Sequence, residues 1–188
     1  ATQSRGLHKH IIDQGGQKHP HAKINFKLGD IVTSVIKCAN GQTVVLSHDT
    51  SSPRPYSLNF RVQGTEGIWM VDNNSIYIQG LSKDEHRWES DEEYLRKYDH
   101  PLWRKFEKQA EGSGHGGMDF FIFRAFIEAL KGAEPVIDVY DAVSMSVISP
   151  LSEKSIRLGS ASVKIPDFTR GKWKKNKPIF DLSLIHIS

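Results

Sequence analysis

The stretch with the most chemical content is Ser113-Gly114-His115-Gly116-Gly117. An imidazole gives and takes protons near neutral pH, so His115 is a candidate acid/base group. Gly114, Gly116 and Gly117 free the backbone for unusual angles and for movement, as a flexible loop closing over a substrate requires. The plain alternative is a linker between two helices. A second segment, Ser51-Ser52-Pro53-Arg54-Pro55-Tyr56, follows a β-branched run that ends in His48-Asp49-Thr50. Its two prolines fix φ and hold the chain extended, so Arg54 and Tyr56 are candidates to face a polar ligand such as a sugar. A rigid connection between strands accounts for the same residues. The pairs His8/His10 and His19/His21 offer imidazoles, the commonest metal-binding side chains, but lack a carboxylate partner or helical i, i+4 spacing. They read as exposed loop histidines, and no metal site is assigned. The lone Cys38 falls within a β-branched run and reads as a small core residue in mid-strand rather than a nucleophile.

These residues need elements to hold them. Leu7–Ile12 reads as a short helix or turn in a polar N-terminal stretch. From Lys27 the pattern changes to β-branched runs, DIVTSVIKCA and TVVLSHDT, separated by Asn40-Gly41, a strong signal for a two-residue hairpin loop. SLNFRVQG alternates Leu58, Phe60 and Val62 on one face, and GIWMVD and SIYIQG flank Asn73-Asn74 as a second hairpin. The result is a meander of four or five strands. Leu81–Glu111 reads as long surface loops anchored by Trp88, Tyr94, Tyr98 and Trp103, with a helix after Pro101. After the glycine cluster, MDFFIFRAFIEALKG predicts an apolar helix ending at Gly132. Another helix is expected from Asp138 to Gly159, kinked at Pro150. The basic DFTRGKWKKNKP reads as loop.

Strands first and helices later, without βαβ alternation, predict an α+β fold: a mixed, largely antiparallel open sheet with helices packed on one face. The 188 residues allow one domain, or one and a fraction. Charged residues make up 25% and hydrophobic residues 38%, a globular profile, and a net charge of only +3 gives no support to nucleic-acid binding. No apolar run approaches the roughly 20 residues of a membrane span, and ATQSRGLHKH lacks the layout of a signal peptide. One cysteine excludes an internal disulfide and a cysteine-based zinc site. There is no Rossmann G-x-G-x-x-G and no P-loop, so a nucleotide cofactor would need another polypeptide segment.

The succession KLGDIVTSVIKCANGQTVVLSHDTSSPRPYSLNFRVQGTEGIW, YDHPLWRKFEKQAEGSGHGGMDFF, PVIDVYDAVSMSVISPLSEKSI and DFTRGKW resembles the C-terminal domain of glycoside hydrolase family 109. Those enzymes are NAD-dependent α-N-acetylgalactosaminidases on the Gfo/Idh/MocA plan, and the resemblance runs from Ala1 to Phe180. It implies an N-terminal Rossmann domain, absent from this chain, that binds most of the NAD, and a C-terminal domain that completes the sugar pocket. It also implies oxidation at the sugar C3, elimination, water addition and reduction in place of the usual carboxylate pair.

Residue by residue, His115 matches the histidine of the family's Gly-Gly-His-Gly-Gly loop, the implied acid/base at the glycosidic oxygen, with Ser113 replacing the first glycine. Tyr56 matches a substrate-facing position, and Arg54 does so more weakly. No cofactor-binding residue falls in this fragment. The implied partner is a glycan ending in N-acetylgalactosamine, and the open sheet suits pairing into a homo-oligomer. Relatives are bacterial and often exported. Residues 1–181 are expected to be a partial C-terminal domain, inactive by itself. Leu182–Ser188 reads as translated sequencing-adaptor sequence, with a natural terminal strand as the alternative. Two other functions fit the same pattern: the C-terminal domain of a sugar oxidoreductase, and a non-catalytic carbohydrate-binding or oligomerisation module.

Overall fold

The computed structural model describes Ala1 and residues 6–26 and 29–175; the expectations for Lys27, Leu28 and Leu182–Ser188 lie outside the described residues. In chain order the elements are α1 (Gly6–Gly15), β1 (Ile31–Lys37), β2 (Thr43–Asp49), β3 (Arg61–Gln63), β4 (Gly67–Met70), β5 (Ser75–Ile78) and β6 (Glu89–Ser90). The helices α2 (Glu92–Tyr98), α3 (Pro101–Ala110), α4 (Met118–Leu130), α5 (Val139–Ser146) and α6 (Ile148–Arg157) follow. The fold is α+β, and every strand pairing among the described residues is antiparallel. The strands form two sheets, β1-β2 and β3-β4-β5-β6, where the sequence predicted a single meander. The chain divides into two units, residues 1–55 with 140–171, and residues 56–139 with the segment from Lys172.

In the first unit β1 and β2 pair in full register from Ile31↔Asp49 to Lys37↔Thr43. The hairpin loop has three residues rather than two. Cys38 N–H donates to the Gln42 carbonyl at 2.8 Å and Gly41 N–H to the Cys38 carbonyl at 3.1 Å. Of the loop residues only Gly41 takes a positive φ, 94°, so the left-handed step follows the turn instead of lying within it. Cys38 is therefore a half-buried loop-closing residue and not a mid-strand one. The expected helix over 138–159 is divided at Val147. Pro150 has no N–H for the Ser146 carbonyl, which is where α5 ends, while Val147 N–H to Val143 (2.9 Å) and Leu151 N–H to Val147 (3.1 Å) keep the path helical. Its C-terminus is closed by Ser160 N–H to Ser155 O at 2.8 Å and Gly159 N–H to Ile156 O at 3.0 Å, as the sequence led one to expect at Gly159. Ser152 Oγ lies 2.8 Å from Ser34 Oγ and ties α6 to β1.

In the second unit the predicted SLNFRVQG strand shrinks to Arg61–Gln63. Asn59 takes φ 46°, its N–H bonds Asp72 Oδ1 at 3.2 Å, and Ser57 donates to the same carboxylate, so the segment before Phe60 folds as a turn. Phe60 still meets Trp69 edge-on at 5.8 Å. The β4-β5 hairpin forms as expected, with Asn74 left-handed at φ 47° closing a turn onto Val71.

The stretch expected to be long loops contains β6 and α2. Glu92 and Glu93 at the start of α2 and Arg96 and Lys97 at its end complement the helix dipole. The residue before it, Asp91, is only 4% exposed and accepts the Trp69 indole N–H at 2.7 Å, which docks the helix start onto β4. α3 begins at Pro101, as predicted, with the ring of His100 accepting Leu102 N–H at 3.3 Å. α4 runs from Met118 to Leu130 and ends with Ala133 N–H on Glu128 O and Gly132 N–H on Ala129 O, both at 3.0 Å. Phe106 and Ala110 of α3 are buried, and Phe106 meets the tilted ring of Phe120 of α4 at 6.0 Å.

Candidate functional site

α3 and α4 are joined by the glycine cluster, and several hydrogen bonds hold the joint. The Ser113 hydroxyl donates to the Ala110 carbonyl at 2.8 Å and accepts Phe120 N–H at 3.4 Å. Ser113 thus ties the end of α3 to the first turn of α4. Gly117 N–H reaches the carbonyls of Ser113 and Gly114, each at 3.2 Å, and Asp119 N–H reaches Gly114 O at 3.3 Å. His115, Gly116 and Gly117 all have positive φ, at 53°, 66° and 101°. For a histidine this conformation costs about 1–3 kcal/mol. Gly117 sits against the ring of Trp103 and the backbone of Ala110, and Trp103 in turn meets the tilted ring of Phe121 at 4.6 Å.

The left-handed turn lifts His115 out of the joint. Its side chain is 84% exposed, and Nδ1 lies 2.9 Å from Asp119 Oδ1. Asp119 is the second residue of α4, where a carboxylate also suits the positive helix end. Beside it, Ser113, Gly114, Asp119, Phe120, Phe123 and Arg124 border an open groove of about 580 Å³ that continues along α4. Arg124 lies over the Phe106 ring at 4.4 Å. An exposed imidazole backed by a carboxylate, next to a groove with apolar and charged walls, can exchange a proton with a bound polar molecule.

The remaining candidates are placed as follows. Tyr56 belongs to the same unit as His115 and is 92% exposed, open to a ligand. No hydrogen bond or ring contact joins it to His115 among the described residues. Arg54 belongs to the other unit and folds back on the end of β2, with Nη2 3.2 Å from the Asp49 carbonyl and Nη1 3.4 Å from its carboxylate. Asp49 also accepts Ser52 N–H at 3.0 Å and Ser51 N–H at 3.1 Å, and these donors hold its carboxyl below the ordinary aspartate value, with Arg54 adding to the effect. The segment is thus ordered by Asp49 as well as by its prolines. His19 and His21 meet edge-on at 5.3 Å. No three His, Cys, Asp or Glu among the described residues stand close enough to hold a metal ion, and no helix among them is long and apolar enough to cross a membrane.

Asp119 is not among the residues singled out from the sequence; its i, i+4 spacing from His115 is the signal that points to the contact. The Ser113 hydroxyl makes two of the joint's bonds, a role that its place in a glycine cluster does not announce.

Residues 1–175 match the family model for the glycosyl hydrolase 109 C-terminal domain. Over 183 residues the chain is 58% identical to a glycosyl hydrolase family 109 protein of Parabacteroides distasonis, covering 97% of this chain and 39% of that protein. It is 56% identical over 183 residues to an alpha-N-acetylgalactosaminidase of Tannerella forsythia, with the same two coverages, 97% and 39%. A family 109 protein of Stenotrophomonas maltophilia is 53% identical over 96% of this chain and 40% of its own length. The chain thus spans about two fifths of the length of the curated relatives it matches. On this agreement of sequence along nearly its whole length, the chain belongs to glycoside hydrolase family 109, as its C-terminal domain.

Proposed function

We propose that this domain supplies the acid/base histidine and part of the sugar-facing surface of a glycosidase that removes terminal α-N-acetylgalactosamine. The observation that carries the reading is His115, exposed on a left-handed turn beside a groove and held by Asp119. The name of the 56% identical Tannerella forsythia relative supports the substrate class. In this reading His115 exchanges a proton with the glycosidic oxygen, and the exposed Tyr56 offers its hydroxyl and ring face to the sugar.

For NAD, which the family resemblance implies, the described residues offer no dinucleotide cradle of the usual kind. The described strands pair only in antiparallel fashion, and no strand leads through a glycine-rich turn into a helix in the way dinucleotide sites are built. In this reading most of the NAD binding falls to the N-terminal domain that the resemblance implies, and His115 handles the proton at the glycosidic oxygen.

The test compares aryl α-N-acetylgalactosaminides with good and poor leaving groups. The 188-residue chain by itself is expected to turn over neither. In a full-length protein carrying it, His115→Ala should lower kcat for the poor leaving group by about 10²–10⁴-fold and the activated substrate far less, with NAD still bound. Unchanged kinetics would remove His115 from the mechanism. Accumulation of NADH with substrate, in place of its recycling in each turnover, would favour a sugar oxidoreductase.

A further inference from the structure

We infer that Asp119 is a positioning residue that fixes the tautomer of His115, so that Nδ1 keeps its proton and Nε2 alone exchanges one with substrate. The inference rests on His115 being the acid/base group of the proposed reaction. An ionised carboxylate can only accept, so the 2.9 Å contact between Asp119 Oδ1 and His115 Nδ1 requires the proton on Nδ1. The imidazolium then gives its Nε2 proton to the departing glycosidic oxygen. That leaves a neutral ring with a lone pair on Nε2, ready to take a proton from the entering water, and Nδ1–H stays on Asp119 in both states.

Two further features belong to this arrangement. The left-handed backbone at His115, φ 53°, is unfavourable for a histidine and is the conformation in which its ring reaches back to the residue four positions later. Position 114 has to be glycine for the carboxylate to stay where it is, because a Cβ there would stand 2.2 Å from Asp119 Oδ2. The loop that lifts His115 also leaves room for the group that orients it. A purely structural aspartate, at the start of α4 for the sake of the helix dipole, would affect stability and leave the ring tautomer unchanged.

The experiment uses a full-length family 109 protein carrying this chain, with ¹⁵N-labelled histidine and the His115 resonances assigned by their loss in His115→Ala. The expected neutral wild-type ring has a pyrrole-like Nδ1 and a pyridine-like Nε2. Asp119→Asn, which keeps the shape but offers a donor and an acceptor, should mix the tautomers. It should also lower kcat on the poor-leaving-group substrate by about 10- to 100-fold, within the acid/base contribution itself, with KM little changed. Gly114→Ala leaves the carboxylate intact but displaces it, and should produce the same two changes. It guards against a folding defect peculiar to Asp119→Asn. In a His115→Ala background, Asp119→Asn should cost almost nothing more.

Wild-type ring shifts and kcat in both variants would overturn the inference, as would a loss from Asp119→Asn that adds in full to that of His115→Ala. The proposed function fails separately: His115→Ala would then leave leaving-group dependence unchanged, whatever the ring shifts report.

Discussion

Gly117→Ala is the substitution that most directly tests how the α3–α4 joint is packed. At φ 101° and ψ −10° Gly117 lies where an alanine is strained, at a cost of about 1–2 kcal/mol. Its new methyl would stand 2.9 Å from Trp103 Cη2 and 3.3 Å from both Cβ and O of Ala110. Ala110 is 2% exposed and part of a helix backbone, and Trp103 cannot turn aside without leaving Phe121 at 4.6 Å. Crowding of this kind costs about 1–3 kcal/mol, so the expected destabilisation is about 2–5 kcal/mol. Gly116→Ala is the matched control. It has positive φ as well, 66°, but open space around the position, and should lose only the backbone part, about 1–2 kcal/mol. The assay is urea unfolding of the 188-residue chain, followed by tryptophan emission and by far-ultraviolet circular dichroism, with the slopes compared to check that the unfolded state is unchanged. If the two variants agree to within about 0.5 kcal/mol, the glycine loop is not packed on Trp103 as described.

Two other expectations follow from single contacts. Asp91→Ala leaves the Trp69 indole N–H, now bonded at 2.7 Å, without its acceptor, and should cost about 1–3 kcal/mol with a shift in tryptophan emission; unchanged stability and emission would show that the contact docks nothing. The Asp49 carboxyl is held below its ordinary value of 3.8 mainly by Ser52 and Ser51 N–H. A depressed folded value means that its stabilisation is present above the unfolded pKa of about 3.9 and is lost as pH falls through the lower folded one. Asp49→Asn should therefore be less sensitive than the wild type to acid in that window, and parallel acid unfolding curves for the two proteins would rule this out.

What the sequence determined by itself is what depends on residues close along the chain. The β1–β2 pairing follows from two β-branched runs around Asn40-Gly41, and α4 from a strongly apolar segment between a glycine cluster and Gly132. Both are local patterns that need no distant partner. The histidine between glycines was legible for the same reason, as was the i, i+4 spacing to Asp119, although spacing alone does not say that the ring turns toward the carboxylate.

Tertiary structure decided the rest. The third strand stops short because Asp72, thirteen positions beyond Asn59, captures its N–H and the Ser57 hydroxyl. α2 is anchored because Asp91 is buried on the indole of Trp69, twenty-two positions away. His115 faces Asp119 from a run of three left-handed residues whose last, Gly117, is packed against Trp103, fourteen positions away. In each case a polar or aromatic group supplied from elsewhere in the chain outweighs a local preference of about 1 kcal/mol per residue. Local patterns do not show which such group will arrive, because its arrival depends on how the whole unit packs.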